Sequence, residues 1–141
     1  MRLAPLSNCA RAEGLGFDFS FAFQPIVDAR DGSVFSYEAL VRGVGGESAY
    51  SVLERVDEAN RYRFDQACRV KAIQEAARLG LPCRLNINFF PNAIYRPELC
   101  IRTTLEAART YGFPIERLVF ELTESEVVED NNHIGGIINE Y

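Results

Sequence analysis

The chain is poor in the residues that most often carry nucleophilic chemistry. Its only histidine, His133, lies beside Asn131 and Asn132 near the end of the sequence and reads as a solvated residue. There is no Gly-x-Ser-x-Gly elbow, and no histidine stands near a strand end to activate a serine or cysteine. No Walker-type or dinucleotide-type glycine loop is present, and Gly43-Val44-Gly45-Gly46 reads as a flexible connection. The four cysteines, Cys9, Cys68, Cys83 and Cys100, include no Cys-x-x-Cys pair. Cys68 and Cys83 have apolar neighbours and read as small core residues. The opening Met1-Arg2-Leu3-Ala4-Pro5 does not resemble a signal peptide, so reduced thiols and a cytoplasmic location are expected. No apolar run approaches the roughly 20 residues of a membrane span. Basic excess is missing too: the net charge is -5, which argues against a DNA or RNA polymer as partner. A small phosphate ligand stays open, because one arginine and a metal ion can hold it locally.

What is present suits a globular α/β domain, with 48% apolar and 25% charged residues among 141. Residues 1–18 read as a lead-in or linker punctuated by Pro5, Gly14 and Gly16, and 19–141 as the domain. Phe19 to Val27 reads as a strand at an edge or bulge, because Pro25 cannot donate to a central ladder. Asp28 to Gly32 is a turn, so this strand forms an antiparallel hairpin with Ser33 to Tyr37. Helical spacing fills Ser48 to Gly80 in two pieces that break at Asn60 and Arg61. The apolar positions are Ala49, Val52, Leu53 and Val56, then Phe64, Ala67, Cys68, Ile73, Ala76, Ala77 and Leu79. Cys83 to Phe90 is a third strand, Pro97 to Gly112 a helix, and Leu118 to Thr123 a fourth strand. A last helix follows, with Val127, Val128, Ile134, Ile137 and Ile138 as its apolar positions. Strands separated by helices imply parallel pairing and cover on both sheet faces, as a small open sheet or half of an eight-stranded barrel.

Three strands end on an oxygen-bearing side chain among apolar neighbours: Glu38, Asn86 and Glu121. An isolated glutamate such as Glu38 reads first as a strand cap or a partner of Arg42. Its recurrence changes that reading. The carboxyl ends of parallel strands gather on one face, so the three groups can converge. Two carboxylates and an amide are a hard-oxygen set suited to Mg²⁺, Mn²⁺ or Ca²⁺ rather than zinc.

Four segments extend this reading. Phe23-Gln24-Pro25-Ile26-Val27, Tyr37-Glu38-Ala39-Leu40-Val41-Arg42, Leu85-Asn86-Ile87-Asn88 and Phe120-Glu121-Leu122-Thr123-Glu124-Ser125 resemble, in order, the motifs of the EAL domain. The resemblance implies a (β/α)8 TIM-barrel-type fold of which this chain supplies about the first half. It implies a cyclic di-GMP phosphodiesterase that forms the linear dinucleotide in bacterial second-messenger signalling, with two Mg²⁺ or Mn²⁺ ions in the complete domain. Carried over residue by residue, Glu38, Asn86 and Glu121 bind metal, with Asn88 where serine is more usual. Glu38 and Glu124 are the catalytic acids, Glu124 by steadying a loop near the site. Gln24, Leu40 and Arg42 contact the substrate, Arg42 through a phosphate.

The family's paired aspartates, later lysine and late water-activating glutamate do not occur in these 141 residues. The chain alone is therefore expected to be inactive, and to associate as a homodimer or with the missing half, with room for an upstream sensor domain. The alternative is a catalytically silent relative that binds cyclic di-GMP or a protein partner as a regulator.

Overall fold

The computed structural model describes residues 14–94, 96–122 and 131–141. Within it β1 (Ser20–Val27) and β2 (Val34–Arg42) form an antiparallel hairpin. Local polar groups set the turn. The Asp28 N–H donates to the Ser33 carbonyl at 2.8 Å, and Asp31 Oδ1 accepts from the Ser33 N–H and hydroxyl. Gly32 takes the left-handed conformation, φ +73°, that this turn needs and a side chain would resist.

The chain continues through α1 (Ala49–Leu53), α2 (Arg61–Leu79), β3 (Arg84–Phe89), α3 (Pro97–Tyr111), β4 (Leu118–Leu122) and α4 (Asn131–Glu140). β3 runs parallel to β2 and β4 parallel to β3, giving a four-stranded sheet in the order β1-β2-β3-β4. β1 pairs only with β2, which leaves it an edge where Pro25 is tolerated, and its register shifts between Ile26 and Val27. Helices α2 and α3 stop on Gly80 and Gly112, where backbone N–H groups return to carbonyls of the last turn.

Side chains alternate between the faces of a strand, so the apolar parity decides where helices pack. Ala39, Leu85 and Ile87 lie on one face, and Val70, Ala72, Ile73 and Ala76 of α2 pack there together with Ala107 and Ala108 of α3. The alanines let both helices approach closely. A second cluster joins Leu15, Phe19, Val52, Phe64, Ala67 and Cys68, with Phe19 and Phe64 edge to face at 5.1 Å between ring centroids. Leu15, in the stretch read as a lead-in, is buried in this cluster. A third unites Phe89, Ile94, Cys100 and Ile137.

None of the three clusters takes a residue from the opposite sheet face, so among the described residues helices cover one face only. Cover on both faces was expected from parallel pairing. The second face mixes polar residues, Gln24, Glu38, Asn86, Asn88 and Glu121, with apolar ones such as Leu40 and Val119. Three helix positions also differ from their apolar spacing, one of them Leu53, 36% exposed at the end of α1. Leu79 is 51% exposed at the last turn of α2, and Ile138 is 63% exposed while Ile137 beside it is buried. Val127 and Val128 lie outside the described residues. No described helix is long and apolar enough to cross a membrane.

Ile73 is fully buried between α2 and the sheet. Its truncation, Ile73→Ala, is expected to cost about 2–5 kcal/mol of unfolding free energy in urea denaturation. Leu79→Ala is expected to stay within about 0.5 kcal/mol of the parent protein. Equal losses at both positions would contradict the packing described.

Candidate functional site

The polar face of the sheet is built by parity and register together. Glu38 lies opposite Asn86, and Asn88 lies opposite Glu121, so these four side chains leave the sheet on the same side. Gln24 joins that face from β1, opposite Glu38. None of the three expected ligands ends its strand. Glu38 is the fifth residue of β2, Asn86 the third of β3 and Glu121 the fourth of β4. β2 runs on to Arg42 because Ala39, Leu40 and Val41 keep pairing with β1. The acids therefore sit within the ladder rather than at the strand mouths.

Two hydrogen bonds cross between the pairs. Asn86 Nδ2 donates to Glu121 Oε1 at 2.6 Å, and Asn88 Nδ2 donates to Glu38 Oε1 at 3.0 Å. A carboxylate only accepts, which fixes the amide nitrogens toward the acids and turns the amide oxygens away from them. Asn86 is 8% exposed, and its Oδ1 is buried with no hydrogen-bond partner among the described residues. An acceptor buried without a donor is costly in a protein interior. Each glutamate also keeps a second carboxylate oxygen, Oε2, outside these two bonds. The arrangement is rich in oxygen acceptors and fits a hard divalent cation better than any further acceptor. Among the described residues no three His, Cys, Asp or Glu side chains gather as a metal cluster, so the donor set is two carboxylates with two amides.

Leu40 and Arg42 continue the same face of β2 past Glu38. They line a cavity of about 190 Å³ with Asn88, Phe21, Phe64 and Phe90. Arg42 Nη1 donates to the Val41 carbonyl at 2.7 Å, which holds the guanidinium at the strand end. The loop that follows is no flexible connection. The Gly43 N–H donates to the Glu47 carbonyl, and the Gly45 N–H donates to Glu47 Oε2, both at 2.9 Å. A Cβ on Gly43 would lie 2.0 Å from Glu47 Oε2 and 2.8 Å from Glu47 Cβ, so a side chain there would displace Glu47.

Of the residues singled out in the sequence, Glu38, Asn86 and Glu121 share one sheet face with Asn88, in two separate hydrogen-bonded pairs, Asn86–Glu121 and Asn88–Glu38. Leu40 and Arg42 share the neighbouring cavity, and Gln24 is exposed on the edge strand. Glu124 lies outside the described residues. His133 is not simply solvated: it is half-buried, and its Nε2 is 2.9 Å from the Pro91 carbonyl. Two supporting residues escaped notice in the sequence. Glu47 closes the loop after Arg42, and Asp65 accepts the Phe90 N–H at 2.9 Å. The Asp65–Arg69 spacing of four was the legible sign of an ion pair, but nothing in it pointed to a buried one.

The family model of the EAL domain matches residues 11–141. A standalone versatile EAL protein from Vibrio cholerae O395, solved in its c-di-GMP-bound form, is 65% identical with a TM-score of 0.82. That match covers 88% of this chain and 52% of the Vibrio chain. BlrP1 of Klebsiella pneumoniae, in a manganese and cy-diGMP complex, is 27% identical with a TM-score of 0.79, over 89% of this chain and 32% of BlrP1. Among curated proteins, the blue light- and temperature-regulated antirepressor BluF of Escherichia coli (strain K12) is 28% identical over 125 residues. These are 87% of this chain and 30% of BluF. The chain thus spans about half of the Vibrio protein and about a third of the other two, and its four strands and helices match about half of that EAL barrel.

Cys68 lines the cavity, and burial, with Asp65 nearby, holds its thiol well above the ordinary cysteine value. Little thiolate is then available near neutral pH. Iodoacetamide at pH 8 is expected to modify the half-buried Cys83 at least about tenfold faster than Cys68, read by peptide mass spectrometry. Comparable rates would place Cys68 in a different environment.

Proposed function

The chain belongs to the EAL domain family, and from that membership we propose that it forms part of a metal-dependent cyclic di-GMP phosphodiesterase. The observation that carries this reading is Asn86 Oδ1, buried and without a donor among the described residues, on the sheet face that also holds the Glu38 and Glu121 carboxylates, each accepting from an amide. Glu38, Asn86 and Glu121 would hold Mg²⁺ or Mn²⁺ through oxygen. A cation bound there lowers the pKa of water and offsets the charge that develops on a phosphodiester.

The chain's own residues supply binding and orientation. Asn88 restrains the Glu38 carboxylate, so less conformational freedom is lost when Glu38 takes up a ligand. Arg42 offers a planar fork to a phosphate at the cavity rim, and Leu40 gives the nucleotide an apolar contact. Gln24 reaches the same face from β1. The closed Gly43–Glu47 loop keeps the backbone behind Arg42 in one shape. The similar structures solved with c-di-GMP bound, one at 65% identity, support this substrate class. We place the activity in the bacterial cytoplasm.

A second reading, a regulator that binds the nucleotide without cleaving it, is favoured by the likeness to a protein named an antirepressor. The two separate cleanly. In the full-length protein, Glu38→Gln is expected to lower Mn²⁺-dependent hydrolysis of cyclic di-GMP by several powers of ten with the circular dichroism spectrum unchanged. Hydrolysis within about tenfold of the parent would remove Glu38 from the mechanism. Arg42→Ala is expected to raise KM before it lowers kcat, and unchanged values of both would remove the phosphate contact. A parent protein that binds cyclic di-GMP but leaves it intact would establish the regulator instead.

A further inference from the structure

Helix α2 carries a buried ion pair that the proposed chemistry does not use. Arg69 Nη1 donates to Asp65 Oδ2 at 2.7 Å, with the two side chains 1% and 2% exposed. The other oxygen, Asp65 Oδ1, accepts the Phe90 N–H. Arg69 Nε and Nη2 have no hydrogen-bond partner among the described residues. A buried pair with unsatisfied donors is a poor device for stability, since well-packed apolar residues of similar size often do as well or better. The backbone bond is what the pair adds.

Phe90 is the first residue after β3, the strand that carries Asn86 and Asn88. Its ring stacks near Phe64 at 6.3 Å and lines the cavity beside Leu40, Arg42 and Asn88. One residue on, the Pro91 carbonyl is bonded to His133 of α4. The exit of β3 is thus gripped from α2 through an amide and from α4 through a carbonyl.

We propose that Asp65 is a positioning residue: by holding the Phe90 amide it fixes the end of β3, and through it the Asn88 amide and the Glu38 carboxylate that Asn88 restrains. Arg69 supplies the counter-charge to the buried Asp65 carboxylate. The consequence for ligand affinity rests on the reading of Glu38, Asn86 and Glu121 as cation ligands. The effect on the strand exit does not.

Two variants separate positioning from stability in the full-length protein. Asp65→Leu/Arg69→Met removes the pair and the Phe90 acceptor together, and fills the space with apolar atoms. Asp65→Asn keeps an oxygen for Phe90 but leaves Arg69 without its counter-charge. Three readouts are taken: Tm, amide exchange at Phe90, and calorimetric Kd for Mn²⁺ and for cyclic di-GMP. The double variant is expected to keep or raise Tm, while Phe90 exchange quickens and both Kd values weaken, each by about tenfold or more. Asp65→Asn is expected to lower Tm yet keep Phe90 protection and both Kd values within about threefold. A double variant with parental Phe90 exchange overturns the proposal, and so does an Asp65→Asn protein that loses affinity as far as the double variant. If the parent protein binds neither Mn²⁺ nor cyclic di-GMP, the ligand reading has failed, and Phe90 exchange in the double variant alone supports or overturns the role of Asp65.

Discussion

In the ladder of β2, β3 and β4, Glu38 stands opposite Asn86 and Asn88 opposite Glu121. Because strand side chains repeat every two residues, a slip of one position in β3 would turn Asn86 and Asn88 toward the helices and bring Leu85 and Ile87 to the polar face. Those two apolar side chains are buried almost completely. Exposing each would cost about 1.5–3 kcal/mol, so packing against α2 and α3 enforces the register that assembles the site. The hydrophobic core and the acidic face are one constraint read from two sides.

The same register explains the electrostatics of the site. Two glutamates on one face repel each other unless something lies between them. Here the amides of Asn86 and Asn88 do so, each with its nitrogen on a carboxylate. They direct the acids without neutralising them, and no lysine or arginine bonds to either acid among the described residues. Arg42, four residues after Glu38, donates Nη1 to the Val41 carbonyl at the end of the strand rather than to either acid. The face keeps its oxygen acceptors, a condition that suits a divalent cation.

Helix α2 has two tasks that conflict in a simple amphipathic pattern. Its alanines, Val70 and Ile73 pack on the sheet, while Asp65, Gln66 and Arg69 are buried as well. Gln66 donates to the Tyr62 hydroxyl at 2.7 Å and approaches Cys100 Sγ at 3.4 Å. This polar side of the helix meets the exit of β3 and the neighbouring α3 rather than water. Polar interior residues at that point make sense where a loop backbone must be held in place, because the Asp65 carboxylate satisfies the Phe90 amide that has left the ladder.

The apolar periods of the sequence were enough to determine the order of strands and helices, the hairpin, the edge placement of Pro25, and the glycine stops at Gly80 and Gly112. Local chemistry decides these, through period, ring geometry and left-handed backbone. The ordered motifs around Gln24, Glu38, Asn86 and Glu121 likewise determined the family by themselves. What only the tertiary structure decided was pairing at a distance. That Asn88 restrains Glu38 across 50 positions, that Asn86 buries an oxygen with no partner among the described residues, and that Asp65 reaches the Phe90 amide depend on register and on helix placement. A one-dimensional pattern carries periods, but it does not say which residue of one strand faces which residue of the next. That choice is made by burial of the opposite face, where Leu85, Ile87 and Ala39 close against α2 and α3.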